Sequence, residues 1–335
     1  MFPDKVGRFI IDGVFDANTY RDTLWPSYLV DMEEVINSLF QFCHQAGPER
    51  CPIYESTPSL IRARYFRTLD ALKLSPVPIS TANPPLVVTH SLLTAQLVIG
   101  AYTPHRSFPI IASTVHALET DDQEALIELI SLTDLVPPLA QCNCSEQSLP
   151  WFAPNEAFYA VACGDSLSSG HFDPDLFAKI YEDLVADSPQ TGAFAAATTL
   201  KCADWPTRAT WRYTGPLEAK GENATASPML ILQPRWDPVC PLRDARAVLE
   251  RYEGAAILVQ ESYGHCSLAA PSVCTARRVR AYFQEGTLPE EGAVCDVDEL
   301  PFVGRIPRET MDAKEEELVW ATRKLVDAVP RFGML

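Results

Sequence analysis

Apolar positions change their spacing twice along the chain. Phe9-Ile10-Ile11 is a short apolar run closed by Asp12-Gly13, which predicts a buried strand and a turn. From about residue 20 to 215 the spacing is mostly helical. Met32, Val35, Ile36, Leu39, Phe40 and Cys43 recur at the helical period and stop at Ala46-Gly47-Pro48. Thr57-Pro58 opens a second helix, with Ile61, Tyr65, Leu69 and Leu72 on its apolar side. Further helices are predicted over 90–101, 108–119 and 121–132, around Tyr159-Ala160-Val161, and from Leu176 to Val185; a Pro- and Cys-rich loop runs from Pro137 to Pro150. After Tyr213-Thr214-Gly215-Pro216 the pattern turns to strand 229–233, helix 242–252, strand 256–260 and helix 270–283. That alternation suits a parallel α/β sheet. The last periodic stretch, 308–329, is a charged amphipathic helix with Met311, Leu318, Leu325 and Val329 on one side, expected to pack on the domain surface.

Both strands of the second part end in reactive side chains. The first stops at Asp237-Pro238 and the second at Gly264-His265. An acid after one strand and a histidine after the next is the tail of the Ser…Asp…His order of α/β-hydrolases. In that reading His265 is the general base, and Asp237 fixes its tautomer and stabilises the imidazolium. Taken singly, Asp237 also reads as a turn-opening Asp-Pro and His265 as a plain loop histidine. The nucleophile is harder to place. No two of the 15 glycines stand four residues apart, so Gly-x-Ser-x-Gly is absent. Gly164-Asp165-Ser166 is the one Gly-x-Ser, and Ser168 sits in a relaxed Ser-x-Ser-x-Gly. Both are poor elbows, because His171-Phe172-Asp173-Pro174 interrupts the helix that should follow.

Composition narrows the remaining classes. The 335 residues are 47% hydrophobic and 21% charged, an ordinary globular balance. A net charge of −17, from 27 Lys and Arg against 44 acids, disfavours nucleic acid and anionic membrane. No apolar run is long enough to span a bilayer. Phosphate-binding Gly-rich loops and dinucleotide fingerprints are missing, so no cofactor is expected. Cys142-Asn143-Cys144 lacks zinc-site spacing and the other histidines are unpaired, so no metal is expected either. Ten cysteines and two glycosylation sequons, Asn143-Cys144-Ser145 and Asn223-Ala224-Thr225, point to a secretory protein. The start, Met1-Phe2-Pro3-Asp4-Lys5-Val6-Gly7-Arg8, has no signal-peptide architecture. A missing N-terminus would reconcile the two; if Met1 is the true start, a cytoplasmic protein with reduced thiols is expected.

Several short segments recur together in one family. They are Phe2-Pro3-Asp4-Lys5-Val6-Gly7-Arg8 with Asp12-Gly13-Val14, Cys43 to Cys51, Tyr102-Thr103-Pro104 and Cys163-Gly164-Asp165. Cys202-Ala203-Asp204-Trp205-Pro206, Asp237-Pro238-Val239, Gly264-His265-Cys266-Ser267 and Gly286-Thr287-Leu288-Pro289 before Cys295 complete the string. Over roughly residues 1–303 the chain resembles the fungal and bacterial proline iminopeptidase and tripeptidyl aminopeptidase-like branch of the α/β-hydrolases. The resemblance implies an α/β-hydrolase core represented by its last strands only, with a large helical cap inserted between strands. It implies core residues 1–20, cap 21–215, C-terminal core 216–305 and a final helix 306–335. It also places the start of the chain just after the nucleophile elbow, with Cys163-Gly164-Asp165 in the cap. By position in the family, disulfides Cys43–Cys51, Cys163–Cys202 and Cys274–Cys295 are expected. Cys240 and Cys266 are expected to lie near one another. Acids in the family's cap hold a substrate's free amine, and Glu156 and Asp165 are acids of that sort.

The expected activity is hydrolysis of a peptide, amide or ester bond through an acyl-enzyme, with a small peptide or small molecule as substrate. The rival expectations are a non-catalytic remnant or interaction module, an incomplete chain, and a self-contained hydrolase that uses Ser166 or Ser168. Oligomeric state is not encoded legibly.

Overall fold

The break in pattern near residue 215 marks where the chain returns to its sheet. A computed structural model of the protein describes residues 2–21, 25, 28–83, 85–133, 154–166, 173–203, 205–207, 209–307 and 313–328, without the side chains of 154–156. Strand β1 (Ile10–Asp12) leads through α1 (Ala17–Tyr20) into α2 (Met32–Ala46) and α3 (Pro58–Leu74). A small hairpin, β2 (Val77–Ile79) and β3 (Leu86–Val88), precedes α4 (His90–Gly100), α5 (Pro104–Glu119) and α6 (Gln123–Ser131). Helices α7 (Pro154–Asp165), α8 (Pro174–Asp187) and α9 (Gly192–Leu200) follow. The chain then runs β4 (Leu230–Trp236), α10 (Leu242–Leu249), β5 (Ala256–Tyr263), α11 (Val273–Glu285) and β6 (Val294–Asp296). A second hairpin, β7 (Glu299–Leu300) and β8 (Gly304–Arg305), and α12 (Ala313–Ala328) end it.

The main sheet has the order β1-β4-β5-β6 and is parallel throughout. This is an α/β fold, with the helical segment inserted between β1 and β4. Leu230, Ile231, Leu232 and Gln233 are all buried, as a strand covered on both faces requires. Helix α11 is pinned to the starts of β1 and β4 by one phenol. Tyr282 Oη donates to Pro228 O (2.7 Å) and accepts from Phe9 N (3.0 Å). Helix ends follow local chemistry: Thr57 and Ser272 accept from Leu60 and Thr275 amides at the starts of α3 and α11, and Gly286 closes α11 at φ +78°.

Three sequence expectations need correction. The sheet holds a fourth strand, β6, which is too short and too polar to register as a strand pattern. The largely helical stretch contains the β2–β3 hairpin. The buried side of α12 is Val319, Thr322 and Val326, while Leu325 is 55% exposed. Met311 and Val329 lie outside the described residues, as do Cys142, Cys144, the Asn143 sequon and Ser168. Among the described residues no helix is long and apolar enough to cross a membrane.

The largest apolar cluster joins α2 to α6, α8 and α9 and reaches the sheet at Val239 and Cys240. The helical segment is therefore packed onto the turn that follows β4. Cys43–Cys51, Cys163–Cys202 and Cys274–Cys295 are disulfides, the three pairings expected from the resemblance. The second ties α7 to the residues after α9 across 39 positions. Closing a loop of that length removes about 4 kcal/mol of unfolded-state entropy. Replacing both cysteines by serine is expected to cost up to about that much, read as a lower urea midpoint with a steeper slope, because the unfolded chain loses its cross-link.

Candidate active site

Strand β4 carries apolar residues to its tip and then turns at Asp237, whose side chain has no solvent exposure. A carboxylate without water needs protein donors. Asp237 Oδ1 accepts from the amides of Val239 (3.1 Å) and Cys240 (2.9 Å) in its own turn. Oδ2 accepts from Cys266 N (3.2 Å) and from His265 Nδ1 (3.0 Å) across the turn of the neighbouring strand. With Nδ1–H directed at a carboxylate, the neutral ring leaves Nε2 as the proton acceptor. Burial alone disfavours the imidazolium, but the Asp237 charge and hydrogen bond outweigh it and raise the His265 pKa.

The turn that carries His265 is braced from three sides. Gly264 sits at φ +115°, and a Cβ there would lie 2.6 Å from Pro104 Cδ and 2.9 Å from Tyr102 O. That close approach lets His265 N donate to Tyr102 O (2.9 Å), and the Tyr102 ring meets the imidazole edge-on at 5.3 Å. Asp12, at the end of β1, accepts from Ser267 N (2.7 Å) and Ser267 Oγ (2.6 Å). Cys266 Sγ donates to Asp12 O (3.4 Å). Buried Gln233 links the β1 and β4 ends, accepting from Val14 N (2.8 Å) and donating to Cys240 O (2.6 Å). Gln260 donates to Ser267 O (2.8 Å) and accepts from Thr275 Oγ1 (2.7 Å), tying β5 to α11.

Sequence reasoning singled out Asp237 and His265, and the structure brings them together. It did not find Asp12, Tyr102, Gln233 or Gln260 as supports. Asp12 was the legible one, as an acid closing an apolar strand just as Asp237 does. Ser166 is buried at the end of α7, and its carbonyl accepts from Arg212 Nη1. It follows a helix, whereas an elbow serine follows a strand. Asp165 is exposed at the same helix end, and burial first, then the Asp165 charge, raises the Tyr20 phenol. Cys240 and Cys266 are free cysteines beside His265. Burial pushes the Cys240 thiol up to about 12 and raises Cys266 as well, so neither is poised as a thiolate. Asp237, Cys240 and His265 present donor atoms within 4.8 Å of one another. The carboxylate is already committed to three amides and an imidazole, so the cluster is organised as a hydrogen-bonded relay.

Residues 188–295 match the family described as TAP-like protein. That part of the chain is similar to the TAP-like α/β-hydrolases. The match takes in β4, β5 and the helices after them, with both Asp237 and His265. A search of curated proteins found no match. The hydrolase assignment accounts for an acid and an imidazole at adjacent strand tips, where strand carboxyl ends form the crevice of open α/β sheets.

Two outcomes follow from this geometry. At Gly13 (φ +64°) a Cβ would lie 2.5 Å from Cys266 Sγ and 3.0 Å from His265 Cε1. Gly13→Ala is expected to cost about 2 kcal/mol from the backbone alone and to shift the His265 ring resonances in NMR spectra. The second concerns Asp31, which accepts a hydrogen bond from the Asp237 amide. Burial first, then the nearby Asp237 charge, pushes its carboxyl from 3.8 to about 6. The folded state therefore holds the extra proton between pH 4 and 6, and its stability falls as pH rises through that window. Asp31→Asn is expected to raise Tm at pH 7.5 and to leave it unchanged near pH 4.

Proposed function

We propose that the protein is the base-bearing part of a serine hydrolase that cleaves peptide, amide or ester bonds through an acyl-enzyme. The observation that carries this reading is the 3.0 Å contact between His265 Nδ1 and a fully buried Asp237 carboxylate at the tips of adjacent parallel strands. His265 Nε2 takes the proton of an attacking serine and returns it to the leaving group. Asp237 holds the tautomer and stabilises the imidazolium that forms between the two steps.

Among the described residues β1 pairs with β4 alone, so one edge of β1 is open. Gly13, beside that edge, lies against the His265 ring. A strand-turn-helix segment laid along β1 would bring a serine from its tip to Nε2, and we assign the nucleophile to such a segment outside the described residues. Three disulfides support folding in an oxidising compartment.

The test is fluorophosphonate labelling of the protein purified from its native source, with the modified peptide mapped by mass spectrometry. Label is expected on a serine other than Ser166 and Ser168, and it is expected to vanish in His265→Ala. Asp237→Asn is expected to lower turnover of the unlabelled enzyme by about 10⁴-fold. Modification of Ser166 or Ser168 would show a self-contained site in the helical segment. No modification at all would mean a non-catalytic chain.

A further inference from the structure

Among the described residues, a cleft in the helical segment reaches the turn that follows Asp237. Its inner end is formed by Val239, two residues after Asp237, and by Tyr102, whose carbonyl holds the His265 amide. Its walls are aromatic: Trp25 meets Tyr28 at 6.2 Å and Phe158 at 5.9 Å, and Phe194 lines the opposite helix α9. The space, open mouth included, is about 470 Å³.

Two features of the lining choose among ligands. None of the described lining residues carries a charge. A free ammonium or carboxylate placed against these residues would lose water and gain no counter-ion from them. The wall nevertheless has hydrogen-bonding capacity to spare. Neither the Tyr28 nor the Tyr102 hydroxyl has a hydrogen-bond partner among the described residues. Burial raises both phenols, which keeps them neutral donors.

We propose that this cleft binds a neutral aromatic group of the substrate beside the bond to be cleaved, with Tyr28 and Tyr102 donating to an acceptor on it. The substrate class is then an aromatic amide or ester with no charge next to the ring. The proposal rests on the hydrolase reading for its placement of the scissile bond. It departs from an exopeptidase pocket, which must hold a substrate's free α-amine and so needs an acid. Trp25, Tyr28, Phe158 and Phe194 supply ring-to-ring contacts that a saturated chain of the same size does not match.

The experiment is isothermal titration of the full chain with 3-phenylpropanamide and with phenylalanine amide, two probes that share a skeleton and differ by the α-ammonium. The neutral probe is expected to bind at least ~10-fold tighter, the loss set by burying an unpaired charge. Phe194→Ala is expected to weaken it about 10-fold, as removal of one aromatic contact does. Tyr28→Phe, which keeps the ring, is expected to weaken it about 5-fold, one neutral hydrogen bond's worth. Circular dichroism melts of each variant confirm that it is folded. Equal or tighter binding of phenylalanine amide, no binding of the neutral probe, or an affinity untouched by Phe194→Ala would overturn the proposal. Because the readout is equilibrium binding, it stands apart from whether a fluorophosphonate finds a serine.

Discussion

A carboxylate sealed from water has to be satisfied by the chain, and most of the core around it is arranged to do so. Asp237 draws two amides from its own turn, a third from Cys266 and the imidazole of His265. Removing one partner of such a buried charge typically costs about 3–5 kcal/mol, because the remainder stays desolvated. The β5 turn must therefore be held in register with the β4 turn. Asp12 from β1 fastens Ser267, Tyr102 from the α4–α5 connection fastens His265, and Gln233 fastens the Asp237 turn to Val14. The carboxylate that holds the imidazole is thus also a structural linchpin.

What could be read in the sequence follows from range. Helices α2 and α3 are long and strongly periodic, and their apolar faces, Met32 to Cys43 and Ile61 to Leu72, are the buried ones. The Asp237 and His265 strand ends were legible because each couples a run of apolar residues to one reactive side chain. Strand β6 was not, since three residues alternating exposed, buried, exposed carry almost no pattern. The face of α12 was misjudged by one position: Leu318 and Leu325 share a seven-residue spacing with the true face at Val319 and Val326. Charged helices of this kind offer two nearly equivalent stripes, and only the surface beneath decides between them. The supports of the site were hidden for a different reason. Asp12 and Ser267 are 255 residues apart, a pairing that periodicity cannot see. The disulfides were legible through family resemblance, not through spacing.

The helical segment is not an independent lid. Val239 and Cys240 belong to the same apolar cluster as Met32, Leu97 and Ala195, so the turn that positions Asp237 is also part of the cap's core. Displacement of α2 or α9 would be felt at the carboxylate as lost packing on the residues that supply its amides. This coupling gives a division of labour. The sheet positions the Asp237–His265 pair, and the helices pack against the turn that supplies its amides.

Three acids crowd the same few turns, and their donors rank them. Asp237 has four hydrogen bonds, Asp12 has the two from Ser267 besides its neighbours, and Asp31 has the amide of Asp237 with Arg243 nearby. Burial raises both Asp12 and Asp31, and the Asp237 charge adds to each rise. Like charges in low dielectric cannot all be borne at once. The turns resolve the conflict by aiming most of the donors at the one carboxylate that faces the imidazole. Against the burial that disfavours its charge, His265 is thereby held chiefly by Asp237, with the Cys240 and Cys266 side chains beside it. That selectivity matters in a chain of net charge −17, where a general base left to the overall field would report the surface more than its site.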